Sequence, residues 1–208
     1  MNAKTPPIRH AVILCHPDRD SFNASVADRY CQAVREVGHE AVLRDLYQMD
    51  FDPVLKSNER PHLGAMTIAG DVADEIKEIH TADVFVLVYP IWFGTPPAML
   101  KGYVERVFGA GVDHKAMRQH DRHSFMANKR LVGLSSSGNS IQWLEEKGAW
   151  ISLRNVFDHY LATAFSMASN EHIHFSNIVD PMTAHNVEVE LHRVTEFAHK
   201  ICAGFLRT

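Results

Sequence analysis

A layered α/β fold built around a parallel sheet is the architecture this sequence predicts, and three observations carry it. Short β-branched runs alternate with longer stretches whose apolar residues recur every three or four positions. No internal repeat or low-complexity segment breaks that alternation. One run, Val84-Phe85-Val86-Leu87-Val88, is apolar at every position. Such a strand needs cover on both faces, which two helical layers supply.

Taken in order, the first strand is Ile8 to Cys15. The helix after it, Asn23 to Val37, places Val26, Tyr30, Val34 and Val37 on one face, with Asn23 as N-cap and Gly38 as its stop. Glu40 to Leu46 is the second strand, and Ile68, Val72, Ile76 and Ile79 mark the second helix. Asp83 to Tyr89 is the third strand. Pro96 and Pro97 open a third helix through Leu100, Val104 and Val107, because the first helical turn has no intrahelical use for their missing N–H. Lys129 to Ser135 gives a fourth strand, Ile141 to Leu161 a fourth helix, and His172 to Val179 a fifth strand. Val187, Leu191, Val194, Ala198, Ile201 and Phe205 form the last helix. Right-handed crossovers leave Rossmann-like and flavodoxin-like sheets, and five strands with five helices favour the flavodoxin-like three-layer sandwich, order 2-1-3-4-5.

The 208 residues suit one domain, 1–208, and 46% hydrophobic with 22% charged residues is an ordinary globular balance. A net charge of −4 opposes a nucleic-acid or anionic-membrane footprint. The longest apolar stretch, Val84 to Tyr89, falls far short of the roughly 20 residues that span a bilayer, so a cytosolic protein without membrane insertion is expected. Cys15, Cys31 and Cys202 show no C-x-x-C spacing and read as small core residues of a reducing compartment.

In such sheets ligands bind beyond the carboxyl ends of the strands, which directs attention to the loops after strands one, three and four. The first, His16 to Asn23, contains neither G-x-G-x-x-G nor a Walker loop. It does lead into a helix start, where free N–H groups, the positive dipole end, the Ser21 hydroxyl and the Asn23 amide can meet an anion; simple helix capping by the same residues is the alternative. The second loop, Pro90-Ile91-Trp92-Phe93-Gly94, sets two large aromatics at the sheet rim. A flat ring system would cover them, and backbone N–H groups of Trp92, Phe93 and Gly94 could meet its polar edges; burial in the core or in a subunit interface is the alternative. The third, Ser135-Ser136-Ser137-Gly138-Asn139, is a run of small residues that permits close approach, and also a common turn composition. Two segments exceed ordinary loop length, 47–65 and 109–128.

His16-Pro17, Ser21-Phe22-Asn23, Leu46 to Pro53, and above all Tyr89-Pro90-Ile91-Trp92-Phe93-Gly94-Thr95-Pro96-Pro97 continuing to Phe108 resemble the NAD(P)H:quinone oxidoreductase family of flavodoxin-like flavoproteins. The resemblance runs to about residue 140 and loosens beyond it. It implies a bound flavin, FAD or FMN with FAD favoured, and NAD(P)H as hydride donor to a quinone or similar electrophile. By position, His16, Ser21, Phe22 and Asn23 match the flavin-phosphate loop. Pro90, Ile91, Trp92, Phe93 and Gly94 match the ring loop, and Ser136, Ser137 and Gly138 a third flavin contact. Trp92 and Phe93 would wall the pocket in which both substrates react in turn.

The same resemblance implies a homodimer, with the Leu100 to Phe108 helix as candidate contact. Well-known members carry a Tyr and a His after the third loop that stabilise charge on reduced flavin; their positions fall here on Trp143 and Ala149. His114 falls near a substrate-pocket position and could donate a proton. Together with His120, His123, Asp113 and Asp121 it offers N/O ligand types, but the spacing matches no named site and no metal is predicted. The alternative function is a flavin- or nucleotide-binding regulatory subunit of the kind that sits on potassium-efflux systems.

Overall fold

The computed structural model describes residues 6–60, 67–112, 124–179 and 181–205. Five strands, β1 (Arg9–Leu14), β2 (Glu40–Asp45), β3 (Val84–Pro90), β4 (Arg130–Ser136) and β5 (Ser169–Phe175), form one parallel sheet in the order β2-β1-β3-β4-β5. This is the expected flavodoxin-like topology, with β3 central and buried along its whole length.

Alternation along β3 divides the core in two. Val84, Val86 and Val88 face α1 (Phe22–Glu36) and the long C-terminal helix, where Ala27, Tyr30, Val34, Val194, Ala198 and Ile201 pack. Phe85, Leu87 and Tyr89 face the opposite layer, with Val72 and Ile79 of α2 (Gly70–Ile79), Leu100 and Tyr103 of α3 (Ala98–Tyr103), and Phe157 and Leu161. The two-residue period of the strand thus assigns successive side chains to different helical layers. The three cysteines are buried and unpaired, and burial pushes the Cys15 and Cys31 thiols up to about 12, which leaves them packing residues.

Several boundaries differ from the sequence expectation, each for a local reason. The helix expected over 141–161 is interrupted: α4 (Ile141–Glu146) ends before Gly148, whose φ of 65° turns the chain into α5 (Ala149–Leu153). A wider π-type turn over Arg154–His159 then leads into α6 (Tyr160–Ala164). A similar widening, Val104–Phe108, extends α3. Strand β5 begins three residues earlier than expected and ends at Phe175, because its extent is set by backbone pairing from Arg130–Ser169 to Ser136–Phe175 and not by β-branched composition. Asn177, at φ 58°, already lies beyond it in irregular backbone. The N-cap of α1 is Ser21, whose hydroxyl accepts from the Ala24 N–H, and not Asn23. Ile68 lies outside α2 and is exposed. The C-terminal helix, α7, spans Ala184–Ala203, so Phe205 sits just past its end.

One buried cation ties Asp52 and Glu59, from the segment after β2, to the helical layer. Arg106, from the widened end of α3, donates to Glu59, to Asp71 on α2 and to the Asp52 carbonyl. Gly102 permits the approach, since a Cβ there would lie 2.4 Å from the Pro53 Cβ. The helix proposed as a dimer contact turns Leu100, Tyr103, Val107 and Phe108 fully inward. Among the described residues no helix is long and apolar enough to cross a membrane.

Candidate active site

Three loops meet at the carboxyl rim of the sheet, fastened by hydrogen bonds and one ring contact. The Ile91 N–H donates to the Ser136 carbonyl at 2.7 Å, joining the second loop to the third. Asn23 donates its amide to the Ser136 hydroxyl at 2.9 Å, joining the first to the third. The His16 and Trp92 rings lie 5.7 Å apart, closing the contact between the first and second.

In the first loop the Asp18 N–H donates to His16 Nδ1 at 3.0 Å, and Asp18 in turn accepts the Asp20 N–H. Helix α1 begins at Phe22, so the Phe22 and Asn23 N–H groups of its opening turn point out of the helix without intrahelical partners, while that of Ala24 is capped by the Ser21 hydroxyl. They form the positive element of this rim. A cavity of about 420 Å³ adjoins them, bordered by Asp18, Asp20, Ser21 and Phe22 on one side and by Ile178, Val179 and Met182 on the other.

The second loop is a tight hairpin. Trp92 and Thr95 exchange backbone hydrogen bonds at 3.0 and 3.1 Å, with Phe93 at φ 51° and Gly94 at φ 82° between them. Both central residues have positive φ, the pattern of a type I′ turn. The Trp92 N–H is therefore consumed inside the turn, contrary to its expected role toward a ligand, while those of Phe93 and Gly94 stay outside it. A large aromatic residue in the left-handed region is strained, and Phe93 gains no burial in return: its side chain is fully exposed, and Trp92 is 40% exposed. Neither folds back into the core.

The third loop differs from its expected use. Ser136 and Ser137 are buried, their hydroxyls turned onto protein partners, while Gly138 and Asn139 are exposed and offer backbone to the rim. Ser137 donates to the Asn139 carbonyl at 3.1 Å and also meets His174 Nε2 at 3.0 Å. Behind it lies a polar cluster that sequence reading missed. Ser135 Oγ sits 2.9 Å from His174 Nδ1 and 2.6 Å from His172 Nε2, and His172 Nδ1 is 2.6 Å from Asp158 Oδ2. Burial, and then the neighbouring His172, hold the His174 imidazole down to about 4 from its ordinary 6.5. Trp150 packs edge-on against His172. The available signal was His172-Ile173-His174: alternate residues of a strand share a face, so both rings turn to the same layer.

Trp143 is half-exposed on α4 and Ala149 opens α5; neither brings a titratable group to the rim. His114, with Asp113, His120, Asp121 and His123, lies outside the described residues. Among the described residues no set of three His, Cys, Asp or Glu is grouped to hold a metal ion.

Residues 9–197 match the Flavodoxin_2 family, described as flavodoxin-like fold. The chain belongs to this family. Over 169 residues, 81% of this flavodoxin-like chain and 82% of the relative, it is 31% identical to an uncharacterized NAD(P)H oxidoreductase of Haemophilus influenzae. It is 30% identical over 149 residues to NAD(P)H dehydrogenase (quinone) 1 of Cavia porcellus, matching 63% of this chain and 54% of that protein. It thus spans about half the length of the latter. The solved NAD(P)H:quinone oxidoreductase from Methanothermobacter marburgensis superposes with a TM-score of 0.78 at 23% identity, covering 94% of this chain and all of that one. An FMN-dependent NADH-azoreductase from Bacillus anthracis, solved with FMN, gives 0.64 at 15% identity, covering 93% and 99%. At these identities the structural likeness establishes the fold.

Proposed function

We propose that this flavodoxin-like protein is a flavin-dependent NAD(P)H dehydrogenase that passes two electrons, as hydride, to a quinone or similar electrophile. The observation that carries the reading is the second loop: a strained, fully exposed Phe93 beside Trp92, on a hairpin anchored to the two neighbouring loops. Strain of about 1–3 kcal/mol combined with an unburied aromatic ring is unfavourable in the protein alone and is recovered when a flat apolar partner covers the ring. The names of the relatives, NAD(P)H oxidoreductase and NAD(P)H dehydrogenase (quinone) 1, support the same reading.

The residues at the rim fit a flavin. Pro90, Ile91, Trp92, Phe93 and Gly94 would hold the ring system, with the N–H groups of Phe93 and Gly94 free to meet its polar edge. His16, Ser21, Phe22 and Asn23 would hold the phosphates against the opening of α1, and the third loop would contribute Gly138 backbone, with Ser136 and Ser137 shaping it from behind. Asp18 and Asp20 border that anion site and no lysine or arginine among the described residues lines the cavity, so affinity there rests chiefly on backbone donors and the helix dipole. FAD is the flavin in this reading, because the cavity beside Ser21 and Phe22 carries Ile178, Val179 and Met182 as apolar cover for a second aromatic base.

When bound, the flavin supplies the redox chemistry, taking hydride from the nicotinamide and yielding two electrons to the acceptor. The chain orients it and walls the pocket with Trp92 and Phe93. A second copy of the chain would cover the groove bordered by exposed Val156 and Tyr160 and floored by Val104, Phe157 and Leu161. Calorimetric titration with FAD and with FMN tests the proposal: saturable binding that Trp92→Ala weakens by about tenfold or more supports it, and no binding of either flavin overturns it.

A further inference from the structure

We propose that Arg19 is a positioning residue for the phosphate loop, a strut that fixes the loop to Asp45 at the carboxyl end of β2. Arg19 stands between Asp18 and Asp20, the two acidic residues that border the cavity beside α1. Its own side chain turns the other way, and Nη1 donates to Asp45 Oδ2 at 2.6 Å. The contact joins the loop that follows β1 to the end of the neighbouring strand, 26 residues further along the chain.

The anchor is rigid. Asp45 is the last residue of β2 and pairs in register with Leu14, the last residue of β1. Its second carboxylate oxygen, Oδ1, accepts the Tyr47 and Gln48 N–H groups at 3.1 Å each, and its carbonyl accepts that of Met49 at 2.9 Å. The Asp45 side chain is 7% exposed, against 44% for Arg19. A carboxylate so shielded from water holds a charged donor more firmly than a fully exposed partner does. One end of the strut is thus built into the sheet, and the other reaches out to the loop.

The loop depends on this support. Its other bonds stay within it: the Asp20 N–H donates to Asp18 Oδ1 at 2.9 Å and the Ser21 N–H to the Asp18 carbonyl at 3.3 Å. Among the described residues, the Arg19 bond is the only one that ties residues 17–20 to another element of the fold. The charges on the loop make its orientation decisive. A carboxylate is itself a good ligand for the start of a helix, where the dipole is positive and N–H groups are free. If the loop were released, Asp18 or Asp20 could swing over the Phe22 and Asn23 N–H groups and compete with a phosphate for them. Arg19, by gripping Asp45 on the far side, keeps the backbone and not the carboxylates turned to that opening.

The ligand in this inference rests on the function proposed above; the strut itself rests on the geometry. Its direct rival is an Arg19 that leaves Asp45 to touch the phosphate, and the two accounts predict opposite effects of Asp45→Asn. That substitution keeps an oxygen for the Tyr47 and Gln48 N–H groups, removes a negative charge and sets an amide against Arg19. A phosphate-binding Arg19 would be set free, and affinity for the phosphate would rise. A strut would be cut, and affinity would fall although a negative charge has been removed.

Titration of the full-length protein with FMN and with riboflavin, which differ only by the phosphate, tests the strut when followed by flavin fluorescence. Arg19→Gln and Asp45→Asn should each weaken FMN binding by about fivefold or more and leave riboflavin binding unchanged. The double variant should bind FMN no more weakly than either single one, because both cut the same contact. Unchanged FMN affinity in either variant, an equal loss for both flavins, or tighter FMN binding by Asp45→Asn overturns the proposal. Backbone ¹⁵N relaxation in the protein without flavin gives a second readout. Order parameters at the Asp20 and Ser21 amides should fall from about 0.85 toward 0.6 in both variants, and values that stay high overturn the strut. A wild-type protein that binds neither flavin would count against the function proposed above, and the relaxation data would then decide for or against the strut by themselves.

Discussion

Asn23 and Ser136, 113 residues apart in the chain, hold each other by two hydrogen bonds: the Asn23 amide donates at 2.9 Å and accepts the Ser136 hydroxyl at 3.2 Å. Both side chains are buried, so neither finds a substitute partner in water. Asn23→Ala should therefore cost about 1–3 kcal/mol in denaturant unfolding. It should also loosen the first loop from the third and weaken flavin binding more than Ser25→Ala, which removes an exchangeable side-chain contact to the Ser21 carbonyl. Equal effects of the two substitutions would show that the cross-loop pair does not set the site.

Phe93→Gly separates strain from function. Glycine adopts a φ of 51° freely, so the substitution should leave stability unchanged or raise it by about 1 kcal/mol by thermal unfolding. Flavin affinity should nevertheless fall, since the exposed ring is gone. Loss of stability on Phe93→Gly would mean that the ring is held by the protein itself.

Arg106 is the buried cation that joins Asp52, Glu59 and Asp71. Its side chain is 2% exposed and that of Glu59 6% exposed. Arg106→Met should cost about 3–5 kcal/mol, because it leaves Glu59 buried without a counterion. Hydrogen bonds from Arg106 hold the Glu59 and Asp71 carboxyls below their ordinary 4.5 and 3.8. The stabilisation they give is thus complete above those values and is lost as acid protonates them, so Arg106→Met should flatten the acid limb of the unfolding profile.

His10 contributes an acid sensitivity at higher pH. Buried against the Tyr30 hydroxyl at 3.1 Å, it is held down to about 4 from its ordinary 6.5, chiefly by burial and secondarily by His39. The unfolded chain takes up the proton first, so no penalty exists above pH 6.5, and stability falls as pH drops toward 4, by about 3 kcal/mol in all. His174 follows the same sign over the same window. His10→Gln should reduce the slope of melting temperature against pH between 6.5 and 4; an unaltered slope would place the titrating groups elsewhere.

The parts of this architecture legible in the sequence were those set by local pattern. Val84 to Val88 announced a doubly covered strand, and the spacing of Val26, Tyr30 and Val34 announced the face of α1. Strand β5 begins earlier than its composition suggests because Ser169, Asn170 and Glu171 lack β-branched side chains, and only pairing with β4 makes them a strand. The break at Gly148 was hidden because apolar residues continue on both sides of it. At the site, the three loops were visible as compositions, whereas the inward turn of Ser136 and Ser137 was not, since it depends on Asn23 and His174 arriving from other elements. Asp158 meets His172 only because a widened helical turn packs on the sheet at that point.

Whether the aromatic hairpin at the rim serves a redox-active flavin is read out most simply by the visible spectrum of the purified protein. It is recorded after reconstitution with FAD or FMN if the protein is colourless, then after anaerobic NAD(P)H, and then after quinone. A flavin spectrum that bleaches with NAD(P)H and returns on adding quinone is expected. A protein that binds neither flavin, or binds one that NAD(P)H does not reduce, would refute this role for the hairpin.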